Sequence, residues 1–185
     1  MADVLLARRG DKEGKVVEAV ERSRFYNQPK FYENYSVLSV QTMVIEQNTG
    51  DIAVQKRAED IPYGGQIFPY HGGFLMAGRD SKRSSHGRTT VFPRVGAMYE
   101  LKEEIGLNLR HIGELWNIFQ GPAKFHVKGI EYETFVRAYL LFYEKEFNGI
   151  ITPNRTEVEY AWTMPLKEVK KKKLLNIIEE KDTRR

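Results

Sequence analysis

Between Pro93 and Gly106 the chain carries two superimposed patterns that restrict this stretch to a helix. Val95, Met98, Leu101 and Ile105 recur at steps of three, three and four, forming one apolar stripe. Pro93 suits the first helical turn, where its missing N–H breaks no bond, and Gly106 suits the C-terminal cap. Glu100, Glu103 and Glu104 stand at i, i+3 and i+4, so their carboxylates converge on one face. Carboxylates this close repel unless a cation or solvent intervenes. Their oxygens suit Mg²⁺ or Mn²⁺, hard cations. Taken alone, Glu-x-x-Glu-Glu is more simply a solvated acidic face.

The surroundings predict strands on both sides of this helix. Val37 to Ile45 is β-branched and apolar, Asn48-Thr49-Gly50-Asp51 supplies a turn, and Ile52 to Arg57 returns, so a hairpin is expected. Ile67-Phe68-Pro69 is extended and leads to His71-Gly72-Gly73. Leu115–Phe119, Tyr132–Tyr143 and Val158–Met164 read as further strands, with breaks at Gly121-Pro122 and Lys128-Gly129. Pro165 opens a last helix striped by Leu166, Val169, Leu174, Ile177 and Ile178. Val16, Val17 and Val20 predict a short helix near the N-terminus, followed by the aromatic connector Phe25 to Tyr35. The order implies an α+β chain, a mixed sheet between helices in an α/β/α sandwich. Residues 1–36 read as an extension packing on a domain of residues 37–185.

Composition narrows the chemistry. The 185 residues contain no cysteine, which excludes disulfides, thiolate zinc sites and cysteine nucleophiles. No apolar run approaches a membrane span and no signal-peptide pattern opens the chain, so no membrane partner and a cytoplasmic location are expected. Net charge is +4, concentrated in two places. Residues 79–94 hold Arg79, Lys82, Arg83, Arg88 and Arg94 against Asp80. Residues 164–185 hold the run Lys170 to Lys173, which reads as a solvated helix face. The remainder is net acidic, which argues against a general nucleic-acid binder.

Glu100-Leu-Lys-Glu103-Glu104-Ile-Gly106-Leu107, with Gly72-Gly73 and a hairpin before it, resembles the Nudix hydrolase (MutT-like) signature. That signature reads Gly, five residues, Glu, seven residues, Arg-Glu, an aliphatic, any residue, Glu-Glu, any residue, Gly, an aliphatic. Trp162-Thr-Met-Pro165-Leu166 is similar to the family's usual ending, a strand leading into the last helix. The resemblance covers about residues 37–180. It implies that Glu100, Glu103 and Glu104 are both catalytic and metal-binding, with Mg²⁺ or Mn²⁺ bridging the pyrophosphate of a nucleotide or other diphosphate substrate. Two positions depart from it. Arg79 stands where the family has Glu, and Tyr99 where it has Arg; in the family those two form an ion pair. Gly73 to Leu107 spans 35 residues, twelve more than the signature, so a basic, serine-rich insertion is expected over residues 79–92, read as a mobile loop.

Further candidates follow from residue type. Gly73 would let backbone approach a substrate closely. Arg83 and Arg88, with Lys82 and His86, could hold phosphates. Tyr63, Phe68, Tyr70, Trp116 and Phe119 include candidates for base stacking, although most are expected to pack in the core or hairpin. His126 is a candidate base or phosphate contact whose plainer role is a loop histidine. Glu157 and Glu159 are candidates for a supplementary ligand or base, with structural roles on a strand edge the plainer reading. The resulting expectation is a metal-dependent hydrolase of a diphosphate linkage. The alternatives are a nucleotide-binding or regulatory module without turnover and, more weakly, an RNA-directed protein. The N-terminal extension offers a contact for a homodimer.

Overall fold

The computed structural model describes residues 3–60, 64–107, 112–127, 129–143 and 156–172. It divides into two compact units: Met1–Gln41, Gly72–Tyr99 and Asn117–Tyr139, and Thr42–His71, Glu100–Trp116 and Leu140–Arg185.

In the first unit β1 (Asp3–Arg8) pairs antiparallel with β2 (Val16–Glu21) and with the opening residues of β3 (Tyr35–Glu46). The expected helix at Val16–Val20 is therefore a strand. Val17 is exposed while Val20 is buried, and pairing to β1 satisfies the backbone that a short helix would leave open. Two brief helices occupy the aromatic connector, α1 (Arg22–Asn27) and α2 (Pro29–Tyr32). They pin Phe25 and Phe31 against Val4, Leu6, Val20, Val37 and Tyr132 in an apolar cluster. Ser36 bonds Glu133, and the Thr134 hydroxyl donates to Val37 O, 2.8 Å away, on β9 (Ile130–Tyr143). These contacts advance together, so β3 and β9 run the same way and the pairing is mixed. β8 (Ile112–Val127) pairs with β9 and continues through Gly121-Pro122, where a break was expected.

The insertion is an ordered hairpin. Ser81–Arg83 (β6) pairs antiparallel with Thr89–Val91 (β7), and Ser84 and Gly87 close the turn through backbone bonds. The expected loop is replaced because Thr89-Thr90-Val91 has strand propensity and Gly87 accepts the positive φ of 78°.

In the second unit the closing residues of β3 meet β4 (Asp51–Arg57) at Ile45 and Ile52. β4 also pairs with β5 (Ile67–Phe68) and, over most of its length, with β10 (Val158–Pro165). Val169 of α4 (Leu166–Lys171) packs on Ile52, Val54 and Met164. Leu174, Ile177 and Ile178 of the expected final stripe lie outside the described residues.

α3 (Pro93–Ile105) forms as its caps require, and Gly106 ends it at a φ of 66°. Its buried face differs from the expected stripe. Ala97, Leu101 and Ile105 are fully buried, whereas Val95 is 40% exposed. Glu100 and Glu104 lie on that buried face, and Glu103 faces outward. Among the described residues no helix is long and apolar enough to cross a membrane.

Candidate active site

Glu104 is the centre of the best-defined polar cluster, and all of its members lie in the second unit. The side chain is only 2% exposed, so its charge needs compensation. Gln55 and Arg57 provide it, and His71 stands beside them. Gln55 Nε2 donates to Glu104 Oε2 at 3.2 Å and to Tyr70 O at 2.8 Å. The Arg57 guanidinium stands 3.7 Å from Glu104 Oε1. His71 Nδ1 lies 3.8 Å from Glu104 Oε2. Gln55 and Arg57 reach this position from β4, two residues apart and hence on the same face of the strand. His71 is fixed by a backbone bridge in which Thr42 and His71 exchange N–H···O bonds of 2.7 and 2.9 Å.

His71 is fully buried, and desolvation lowers its pKa to about 4. The imidazole is therefore neutral near pH 7. Its Nε2 lies 3.1 Å from Ala53 O, an acceptor only, which assigns the ring proton to Nε2 and a lone pair to Nδ1. That Nδ1 has no hydrogen-bond partner, and neither do Gln55 Oε1, Arg57 Nε and Thr42 Oγ1, all buried. Buried polar atoms are seldom left open, and three of these four belong to the residues around the Glu104 carboxylate.

Glu103 stands on the exposed side of the same helix, and Glu100 is 8% exposed. The carboxylates are oxygen donors of the type a hard divalent cation selects, so the donor chemistry fits Mg²⁺ or Mn²⁺. Among the described residues, no three His, Asp or Glu side chains gather closely enough to form a metal centre by themselves.

The two departures from the signature meet each other in the first unit. The Arg79 guanidinium lies over the Tyr99 ring, 5.5 Å from its centroid. Arg79 also grips Asp80 through Nε and Nη2 at 2.8–3.0 Å. Asp80 is fully buried, accepts the Met76 N–H at 2.8 Å, and its own carbonyl accepts from Phe92. The base of the insertion hairpin is thus closed by an ion pair between neighbours and a cation–π contact.

The other candidates fall as follows. Gly72 admits no side chain, because a Cβ there would come within 2.0 Å of Val40 O. Gly73 O accepts the Val40 N–H, so both glycines serve strand packing in the first unit. Lys82, Arg83, His86 and Arg88 are exposed on the insertion hairpin. Trp116 and Phe119 are 55% and 47% exposed on β8, whereas Phe68 and Tyr70 are partly buried. Tyr63 lies outside the described residues. His126 is half-exposed and stands 3.9 Å from Glu131. Glu157 is exposed, and Glu159 pairs with Lys56 at 2.6 Å. Sequence reasoning missed Gln55, Arg57 and His71 as site residues. The available signal was Gln55, a polar residue inside the buried run Ile52-Ala-Val-Gln55 of β4.

No family model matches the chain, and no curated protein matches it. Solved structures do. The NUDIX domain of Shewanella oneidensis NrtR, complexed with ADP ribose, superposes with a TM-score of 0.55 at 12% identity, covering 86% of this chain and 96% of that one. A Deinococcus radiodurans protein gives 0.54 at 13% identity, covering 94% and 88%. The C. elegans Ap4A hydrolase in a binary complex gives 0.52 at 13%, covering 72% and 83%. The fold is Nudix-like. It is the mixed sheet with helices of the Nudix α/β/α sandwich, as the signature resemblance implies. Within a Nudix-like fold, Glu100, Glu103 and Glu104 are the glutamates that match the second half of the signature.

Proposed function

We propose that this chain is a metal-dependent hydrolase that cleaves a diphosphate linkage in a nucleoside diphosphate derivative. The observation that carries the reading is Glu104: a buried glutamate of the signature helix, ringed by Arg57, Gln55 and an open imidazole nitrogen. A structural glutamate on a solvated face needs no such surroundings. Support also comes from fold neighbours whose names give Ap4A hydrolysis and ADP-ribose binding.

In this reading Glu100, Glu103 and Glu104 hold Mg²⁺ or Mn²⁺. Such a cation, when bound, neutralises phosphate oxygens and lowers the pKa of a coordinated water. The chain's own residues do the rest. Gln55 and Arg57 hold the Glu104 carboxylate in one orientation, so that its position costs no reorganisation during the reaction. Glu103 lies on the exposed side of α3. Arg83 and Arg88 are candidate phosphate contacts, and Gly73 a candidate backbone contact.

The test is turnover. Purified protein is incubated with ADP-ribose, diadenosine tetraphosphate and nucleoside triphosphates, with and without Mg²⁺ or Mn²⁺, and phosphorylated products are followed. Metal-dependent release lost in Glu103→Gln and Glu104→Gln supports the reading. Tight nucleotide binding without turnover replaces it with the second reading, a binding or regulatory module. The specific observation behind that second reading is the exchange of the family's ion pair for the Arg79–Tyr99 contact.

A further inference from the structure

In the first unit two cations share the Phe31 ring. Arg24 Cζ stands 5.3 Å from its centroid and Lys30 Nζ 4.9 Å. Arg22 Cζ lies 5.1 Å from the centroid of Phe74. All three side chains are exposed, and among the described residues none of the three charged heads has an ion-pair or hydrogen-bond partner. The rings hold these heads in place, yet a ring carries no net charge. The repulsion between Arg24 and Lys30 is therefore left to solvent or to an incoming anion.

The acids of this unit are engaged elsewhere. Asp80 is gripped by Arg79, Glu131 by Arg9 and Lys124, and Glu133 by Arg9, Gly10 and Ser36. Fifteen Lys and Arg stand against nine Asp and Glu in the first unit, a balance of +6, and fourteen against sixteen in the second. The acidity that argues against nucleic acid along the whole chain thus sits in the second unit.

Three features select the occupant. No large apolar side chain of α1 or α2 is exposed, since Phe25 and Phe31 are buried and Tyr26 and Tyr32 are partly so. A lipid surface needs an apolar anchor, and a protein partner needs an apolar interface core. The cations are spread over two rings, which suits anions repeated along a polymer better than one small ion. Tyr26 and Phe74, with centroids 6.1 Å apart, are half-buried rings that leave surface on which a base can stack.

We propose that the α1–α2 segment of the first unit binds single-stranded nucleic acid, with Arg22, Arg24 and Lys30 on its phosphates and the Tyr26 and Phe74 rings against its bases. None of the signature glutamates takes part, so the surface stands apart from the proposed hydrolysis.

The probe is a short fluorescein-labelled oligouridylate. It is titrated with the full chain in the presence of a chelator, so that no cation bridges it to the glutamate helix, and binding is followed by anisotropy. Three phosphate contacts predict a slope of about −2 for log affinity against log salt. Arg22→Gln, Arg24→Gln and Lys30→Gln together are expected to weaken binding at least about tenfold and to flatten that slope, with an unchanged circular dichroism spectrum. Lys170→Gln, Lys171→Gln and Lys172→Gln remove the same charge from the second unit and are expected to stay within about threefold of wild type. Should the first variant fail to fold, a 4-thiouridine oligonucleotide crosslinked to wild-type protein must mark residues 22–35 or Phe74. No binding at low salt overturns the proposal. So do an equal loss in the second variant, crosslinks confined to other segments, tighter binding of a duplex of the same length, or binding to anionic vesicles in place of the oligonucleotide.

Discussion

Glu104 and Asp80 are both buried carboxylates next to an arginine, yet their surroundings are opposite. Around Asp80 the bonds close: Arg79 grips both oxygens, and Met76 N–H meets one of them. Beside Glu104 the arrangement is looser: Arg57 stops at 3.7 Å, Gln55 donates to Oε2 at 3.2 Å, and buried atoms on Arg57, Gln55 and His71 lack hydrogen-bond partners. A closed set spends its bonds on holding a chain segment, here the root of the insertion hairpin. The looser set leaves bonding capacity on Arg57, Gln55 and His71. Charge and burial alone do not tell these two carboxylates apart; the groups around them do.

The contrast is broken or sharpened by substitution. The largest effect is expected for Glu104→Gln, which should lower kcat/KM on a confirmed substrate about 10³-fold while leaving the thermal midpoint within a few degrees. Steady-state kinetics and a thermal melt check both halves. Asp80→Asn should do the reverse. Weakening a buried ion pair should cost about 3 kcal/mol in urea denaturation, with Mn²⁺ affinity within about threefold of wild type. If Asp80→Asn abolished Mn²⁺ binding while the fold survived, the division between closed and looser sets would fail.

Acid provides a third test, on metal-free protein. The His71 pKa falls from 6.5 to about 4 on folding. Below 6.5 the unfolded chain binds a proton that the folded chain refuses. Stability from this group is therefore full above pH 6.5 and is lost as pH falls toward 4, at a slope approaching about 1.4 kcal/mol per pH unit. Denaturation midpoints measured across that window should flatten in His71→Asn. The smallest effect belongs to Tyr99→Leu, which removes the cation–π partner of Arg79. With Tyr99 41% exposed, a loss of about 0.5–1 kcal/mol by chemical denaturation is expected, without change in metal affinity.

Local signals made much of the fold legible in the residue order. Pro93, the three glutamates and Gly106 specify α3 because capping and i, i+4 spacing act within one helix. The hairpin over β3 and β4 was legible through its turn residues. The segment Val16–Val20 misled, because valines at mixed spacing satisfy a helix and a strand alike, and pairing with β1 decides between them. Thr89-Thr90-Val91 carried strand propensity, but the serine-rich sequence before it read as loop. Of the candidate site, Glu100, Glu103 and Glu104 could be named from residue order because they share one helix, whereas Gln55, Arg57 and His71 join Glu104 only through tertiary packing. The departures Arg79 and Tyr99 were visible as mismatches; only the fold shows that they compensate each other.

The placement of the aromatic residues has a spectroscopic consequence. Both tryptophans, exposed Trp116 and half-buried Trp162, belong to the second unit, where Trp162 packs against the Ile52, Val54 and Met164 cluster. The dense ring cluster of Phe25, Tyr26, Tyr32 and Tyr132 belongs to the first. Tryptophan emission therefore watches the unit that holds Glu104. A melt of one unlabelled sample therefore follows that unit without any introduced probe.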